Sequence, residues 1–340
     1  APDRPPAADL AVRSFGRSLD MAWRRTSYSA ITSGAHEARV ASEPEDGGVA
    51  DEPSGAQLVA DVAADDAEAA RLRAVPSPLA AMPAGPDVGT LVHAVLEGAD
   101  FAAADLDAEL AAGVERQGRW HGVDVGEPAA VVAGLRAAVE TPLGPVVGDV
   151  RLRDVAAGDR LDELSFELPL AGGDAPTAAL RLDAVAALLR QRLPAGDPLA
   201  GYPDRLGQPG LTGDLRGYLA GSVDLVLRLR GPDGEPRFAV VDHKTNRLAP
   251  AGAALTAWHY RPAALVAAMY DAHYPLQALL YLVTLHRYLR WRQPGYDPDR
   301  HLAGVLYLFL RGMTGPDVPR VATSPVGSSG GARRPAWSWR

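Results

Sequence analysis

The sequence predicts an α/β fold, and three observations predict it. Asp162 to Leu170 alternates polar and apolar residues with the period of a strand. Gly217 to Arg230 and Arg237 to Asp242 are two β-rich runs joined by Gly231-Pro232-Asp233-Gly234-Glu235-Pro236, whose residue types make a hairpin turn. A helical stretch from Ala263 to Arg292 then leads into His301 to Arg311, apolar enough for a buried strand. Strand, hairpin, helix, strand is the order of an α/β core, and no internal repeat interrupts it.

The remaining elements fall into place around that core. Phe15 to Ile31 carries Trp23-Arg24-Arg25-Thr26-Ser27-Tyr28-Ser29, after which Ala, Asp, Glu, Gly and Pro dominate and aromatic residues vanish; residues 34–87 read as an acidic, disordered linker. Helical spacing returns at Gly89-Thr90-Leu91-Val92-His93-Ala94-Val95-Leu96-Glu97, with Thr90 near the start, and continues in pieces to Glu140. Arg181 to Arg192 reads as a further helix, and the 263–292 helix has a candidate break at Pro275. Past Gly312 the chain is rich in Gly, Ser and Pro until Trp337 and Trp339. The expected division is a connector over 1–33, the linker over 34–87, a catalytic domain over 88–313 and a flexible tail over 314–340.

Composition excludes several classes of chemistry. The 340 residues include no cysteine, which removes disulfide scaffolds, thiol nucleophiles, iron–sulfur clusters and cysteine-ligated zinc together. No apolar run approaches the roughly 20 residues that span a bilayer, and Ala1-Pro2-Asp3-Arg4 opens no signal peptide, so a soluble, cytoplasmic location is expected. The chain begins at Ala1 and not Met, and is read as a piece of something longer. Of 34 basic residues only Lys244 is a lysine. A compact, tunable amine retained in so arginine-biased a sequence points to a task that guanidinium cannot perform, chance survival being the plain alternative. With no Gly-Lys pair there is no phosphate-cradling Walker A loop. The net charge of −8 does not advertise nucleic-acid binding, though a local basic groove is compatible with it.

The chemistry concentrates in Gly221-Ser222-Val223-Asp224-Leu225-Val226 and Val240-Val241-Asp242-His243-Lys244-Thr245-Asn246. Asp242 and Lys244, two apart on one strand, leave from the same face, and hairpin pairing brings Asp224 toward the same end. Two carboxylates and an amine at a sheet end suit a hard divalent cation with a cationic group beside it, the equipment of phosphodiester hydrolysis. The plainer alternative for Asp-x-Lys is a surface salt bridge, worth about 0–1 kcal/mol.

Those segments, beginning at Gly217-Tyr218-Leu219-Ala220, resemble the PD-(D/E)xK nucleases in the form found in RecB-type helicase–nucleases. Tyr274-Pro275-Leu276-Gln277-Ala278-Leu279-Leu280-Tyr281-Leu282 is similar to the family's Q-x-x-x-Y helix, Gly304 to Gly312 to the strand after it, Gly89 to His93 to its metal-histidine helix, and Trp23 to Ser29 to the connector from a helicase body. The resemblance runs in the family's order from about residue 20 to 312. It implies a restriction-endonuclease-like core, a mixed sheet flanked by helices, and a Mg²⁺-dependent DNA endo- or exonuclease of the exodeoxyribonuclease V type acting in double-strand break repair. It implies Asp224 and Asp242 as carboxylate ligands, Lys244 as the catalytic lysine, the His243 carbonyl as a further ligand and His93 as the metal histidine. Glu163 would be an additional acid, with Glu167 the rival; Gln277 and Tyr281 would orient Lys244 or touch the DNA backbone.

The resemblance also implies RecC-like and RecD-like partners and DNA delivered as a single strand by the motor, with no membrane involved. Plain alternatives stand beside each role: a core histidine for His93, a half-buried polar stripe for Gln277 and Tyr281. Arg287, Arg290 and Arg292 could meet phosphates or simply complement a helix end. Two other functions compete with the whole reading, an inactive docking module of nuclease fold and a stand-alone nuclease. Gly327-Ser328-Ser329-Gly330-Gly331 satisfies G-x-S-x-G but lacks the strand–turn–helix setting of a nucleophile elbow, and is set aside.

Overall fold

A mixed sheet flanked by helices on both faces organises the chain, and β5 (Gly217–Arg230) is its longest strand. The computed structural model describes residues 24–37, 66–170, 178–194, 196–208, 210–211, 214–317 and 337–339. In chain order these form β1 (Arg24–Thr26), α1 (Tyr28–Glu37), α2 (Asp66–Arg73), α3 (Pro86–Gly98), α4 (Leu106–His121) and α5 (Pro128–Glu140). β2 (Arg160–Leu170), β3 (Leu180–Arg181), α6 (Leu182–Arg192) and β4 (Asp214–Leu215) precede β5. After it come β6 (Pro236–Lys244), α7 (Pro262–Asp271), α8 (Tyr274–Arg292), α9 (Pro298–His301), β7 (Leu302–Phe309) and β8 (Trp337–Trp339).

One edge of β5 carries β2, antiparallel from Gly217 to Leu227. The other edge is shared: β1 runs parallel along Gly217–Leu219, and β6 returns antiparallel along Leu225–Arg230 through the expected hairpin. α7 and α8 form the crossover to β7, which pairs parallel with β6, and β8 pairs parallel with β7. Strand alternation then divides the core. Leu225, Leu227, Ala239, Val241, Leu306 and Leu308 join Leu91, Val92, Val95 and Leu96 of α3, whereas Val226, Val240, Val305 and Phe309 join Leu265 of α7 and Leu285 and Leu289 of α8.

Three local outcomes differ from the sequence reading. The expected 263–292 helix breaks two residues before Pro275, at His273 with φ +56°, so that Pro275 occupies the first turn of α8, where its missing N–H costs no hydrogen bond. The stretch 66–87, read as linker, carries α2 and buries Leu79 and Met82 in the main core; a Cβ at Gly134 of α5 would lie 2.3 Å from Leu79 Cδ2, so glycine permits that packing. Its apolar anchors are too sparse to register as a period. Residues 337–339, read as tail, extend the sheet as β8. Trp23, most of the 34–65 segment and the discarded Gly327–Gly331 motif lie outside the described residues.

Arg311 ties these parts together from the chain's far side. Almost wholly buried, its guanidinium donates to the carbonyls of Thr245 (2.7 Å), Leu79 (2.9 Å), Met82 (2.8 Å) and Pro83 (2.6 Å). The planar fork of donors suits such a divergent set of acceptors, and the lead-in to α3 is thereby fixed to the residue following β6. No single described helix is long and apolar enough to cross a membrane.

Candidate active site

The two strands of the hairpin part at the candidate residues. Pairing between β5 and β6 ends with Leu225 opposite Val241, while β6 continues beside β7 until Lys244 lies opposite Phe309. Asp224 is the next residue beyond the last β5–β6 pair. Alternation along β6 sends Asp242 and Lys244 toward α8, following Val240, and His243 toward α3, following Val241.

On the α3 side, Asp224 Oδ2 accepts the His243 backbone N–H at 2.8 Å and lies 3.4 Å from His93 Nδ1 and 3.7 Å from His243 Nδ1. α3 delivers His93 because Leu91, Val92, Val95 and Leu96 anchor the helix in the core. Burial opposes charge on His93, but the charge and hydrogen bond of Asp224 prevail and push its pKa up to about 9. Burial would likewise raise Asp224, yet His93, then His243 and Lys244, hold it well below the usual carboxylate range. Desolvation wins at His243, whose pKa falls to about 4 despite Asp224, and its Nε2 is buried without a hydrogen-bond partner. The same carboxylate thus raises the pKa of one imidazole, while burial prevails at the other.

On the α8 side, Lys244 Nζ pairs with Asp242 Oδ2 at 3.0 Å, each side chain 1% exposed. This is a buried pair and not the surface salt bridge that Asp-x-Lys alone left open. Gln277 and Tyr281, one turn apart on α8, are joined by a hydrogen bond of 3.0 Å from Gln277 Nε2 to the Tyr281 hydroxyl. Beside them opens a cavity of about 420 Å³, whose wall includes Ser27, Tyr28, His93, Glu97, Glu163, Ser222, Asp224, Gln277 and Tyr281.

Glu163 and Glu167 separate clearly. Glu163 sits where β2–β5 pairing lapses for one residue between Asp162 opposite Leu225 and Leu164 opposite Val223, the register unchanged on either side; its φ is +53°, and its Oε1 accepts from Ser222 Oγ at 2.6 Å inside the cavity. Glu167 instead pairs with Arg25 at 2.9 Å and contributes nothing to the cavity wall. Arg287, Arg290 and Arg292 lie on the distal half of α8; Arg287 and Arg290 are about 9 and 14 Å along the helix from Tyr281, outside the cavity lining.

The candidate ligands His93, Asp224, Asp242 and His243 are neighbours but not a finished shell. Among the described residues no three His, Asp or Glu side chains stand ready to hold a metal ion, because Asp242 turns to Lys244 while Asp224 turns to His93. The donor chemistry nevertheless suits a hard divalent cation: ionised Asp224 shares the cavity with Glu163 and Glu97. Burial, and after it the charges of Glu163, Asp162 and Asp224, raise the Glu97 pKa above the ordinary carboxylate value. A bound cation would lower it.

Sequence reasoning did not single out several of these residues. Glu97 follows His93 by four and so shares its helix face, a signal present in the sequence. The His243 ring, assigned only a backbone role, follows from strand alternation. Ser27 and Tyr28 join the wall because β1 pairs with the start of β5, a long-range contact that leaves no local trace.

Residues 67–329 match the PD-(D/E)XK nuclease superfamily. The chain is 50% identical over 329 residues to the RecBCD enzyme subunit RecB of Mycobacterium tuberculosis (strain H37Rv), covering 95% of this chain and 28% of that protein. Against the protein of the same name from Mycolicibacterium smegmatis it is 48% identical over 331 residues, 96% of this chain and 29% of that one. The Escherichia coli K12 subunit is 31% identical over 311 residues, 90% and 22% respectively. The chain therefore spans under a third of the length of these relatives.

Proposed function

The chain belongs to the PD-(D/E)XK nuclease superfamily, whose members generally use divalent metal ions, and from that premise we propose that it is the Mg²⁺-dependent DNA-hydrolysing part of a RecB-type helicase–nuclease. In that setting it trims DNA ends during double-strand break repair as an exodeoxyribonuclease V type activity. RecC-like and RecD-like subunits work with the full-length protein, and the motor feeds a single strand to the site. The observation that carries the reading is the buried Lys244–Asp242 pair lying one strand away from the Asp224–His93 pair, where β5 and β6 part beside a cavity.

In this reading Asp224, Asp242, His93 and the His243 carbonyl hold the cation, and Glu163 supports it from the cavity wall. When bound, Mg²⁺ supplies Lewis-acid polarisation of the scissile phosphate and lowers the pKa of a coordinated water. The protein's own groups do the positioning. Lys244 directs the attacking water and offsets charge on the phosphate, and its burial beside Asp242 fixes where that happens. Gln277 and Tyr281 orient the strand at the wall. The positive φ of Glu163 is a strained conformation, of the kind that concentrates at functional sites. Water attacks in line, with no covalent enzyme intermediate.

The decisive measurement is Mg²⁺-dependent cleavage of linear single-stranded DNA by this chain, beside Lys244→Ala and Asp242→Ala. Loss of cleavage in both folded variants is expected. A folded wild type that binds Mg²⁺ and leaves DNA intact sinks the reading for the isolated chain and favours a docking module.

A further inference from the structure

Lys244 is the chain's only lysine and is 1% exposed. Its ammonium has more than the Asp242 carboxylate around it. Nζ lies 4.3 Å from the centre of the Tyr274 ring and 5.9 Å from that of Tyr307, and the two rings stack with centroids 5.4 Å apart and planes 18° from parallel. Tyr307 stands opposite Asp242 in the parallel β6–β7 register, and Tyr274 opens α8 just after the break at His273. The Tyr307 hydroxyl donates between the Tyr274 carbonyl, 3.1 Å away, and Gln277 Oε1, 3.0 Å away; Gln277 in turn donates to Tyr281. The Tyr274 hydroxyl reaches Asn246 Oδ1 at 3.3 Å, two residues beyond Lys244.

We infer that Tyr274 and Tyr307 are positioning residues for Lys244: their rings cage its ammonium, and Tyr307 links the cage through Gln277 to Tyr281 at the cavity wall. A lysine stem is long and flexible and its head is strongly hydrated, so a buried lysine needs partners that fix both its place and its charge. Beside the carboxylate, a π face supplies favourable potential for an ammonium without adding a negative charge. Two phenols whose hydroxyls are tied to backbone and amide oxygens cannot rotate away, so the cage is rigid. Ordinary core packing would be served as well by leucine. On the nuclease reading above, this hold keeps the lysine aligned during phosphodiester hydrolysis.

The test uses the chain's single lysine as a reporter that does not depend on cleavage. With ¹³C-labelled lysine the spectrum contains one lysine spin system, and the methylene protons beside Nζ are expected upfield of free lysine from the ring currents of Tyr274 and Tyr307. Tyr274→Leu should return them toward the free position and lower kcat about 10-fold with KM nearly unchanged, whereas Tyr274→Phe, which keeps the ring, should restore both. Tyr307→Phe keeps the cage and cuts the link to Gln277, so its lysine signal should stay upfield while kcat falls several-fold. Lysine signals at the free position in the wild type, or a folded Tyr274→Leu with an unmoved signal, overturn the cage. If Tyr274→Leu does not fold, the wild-type spectrum and Tyr307→Phe carry the decision. If the wild type cuts no DNA, the nuclease reading falls while the spectrum still decides the cage.

Discussion

Two consecutive stretches at the end of β6, 239–241 and 242–245 with Thr245 just past the strand, are almost equally buried and built on opposite principles. Ala239, Val240 and Val241 have no exposure at all and belong to the apolar clusters on either side of the sheet. The next four residues, Asp242, His243, Lys244 and Thr245, are 1–4% exposed and polar or charged. Hydrocarbon burial stabilises the first stretch by about 25 cal/mol per Å². Charges in the second stretch carry a desolvation penalty that their mutual attraction at best repays, so stability does not explain them. Burial by itself therefore locates a core, and buried charge within it marks the candidate site.

Substitutions can break or sharpen that contrast. The largest effect is expected in the polar stretch: Lys244→Ala should lower the rate of DNA cleavage at least ~10³-fold, about 4 kcal/mol of barrier, in a single-turnover assay. The same region should next show in stability. Asp242→Ala leaves a buried ammonium without its carboxylate and is expected to cost about 3–5 kcal/mol in urea unfolding, whereas the double replacement Asp242→Leu with Lys244→Met should fold within about 1 kcal/mol of wild type and cut nothing. If the double variant were as unstable as the single, the pair would be structural after all. In the apolar stretch Val241→Ala should cost about 2 kcal/mol and leave kcat near wild type, since it removes only packing. The smallest contrast lies on β2: Glu163→Gln should slow cleavage roughly 10-fold, and Glu167→Gln, which only loosens an exposed pair with Arg25, should change rate and stability by less than about 1 kcal/mol equivalent. Equal losses at both positions would remove the distinction between the two acids.

Much of the fold was legible because the sheet announces itself locally. The turn at 231–236 and the apolar run before Arg311 set the hairpin and the parallel partner within a residue or two, and the strand period put Asp242 and Lys244 on one face. Sequence could not foresee that Asp224 and Asp242 engage different partners, because that depends on where β5 and β6 cease to pair. Tyr307 was invisible as a neighbour of Lys244 for a similar reason: a parallel register across a helical crossover leaves no sequence mark. Leu79 and Met82 escaped notice because single anchors between prolines carry no periodicity, and what holds them is an arginine far along the chain.

That arginine also bears on timing. Arg311 lies 232 residues beyond Leu79 and 66 beyond Thr245, the positions its guanidinium joins. During synthesis every candidate ligand and the lysine leave the ribosome before it does. A nascent chain that stops short of residue 311 holds the full set of reactive groups in its sequence and lacks the tie between the α3 lead-in and the end of β6. On the nuclease reading, a site tied together across so many residues is expected to assemble late in folding, after all of its reactive groups have been made.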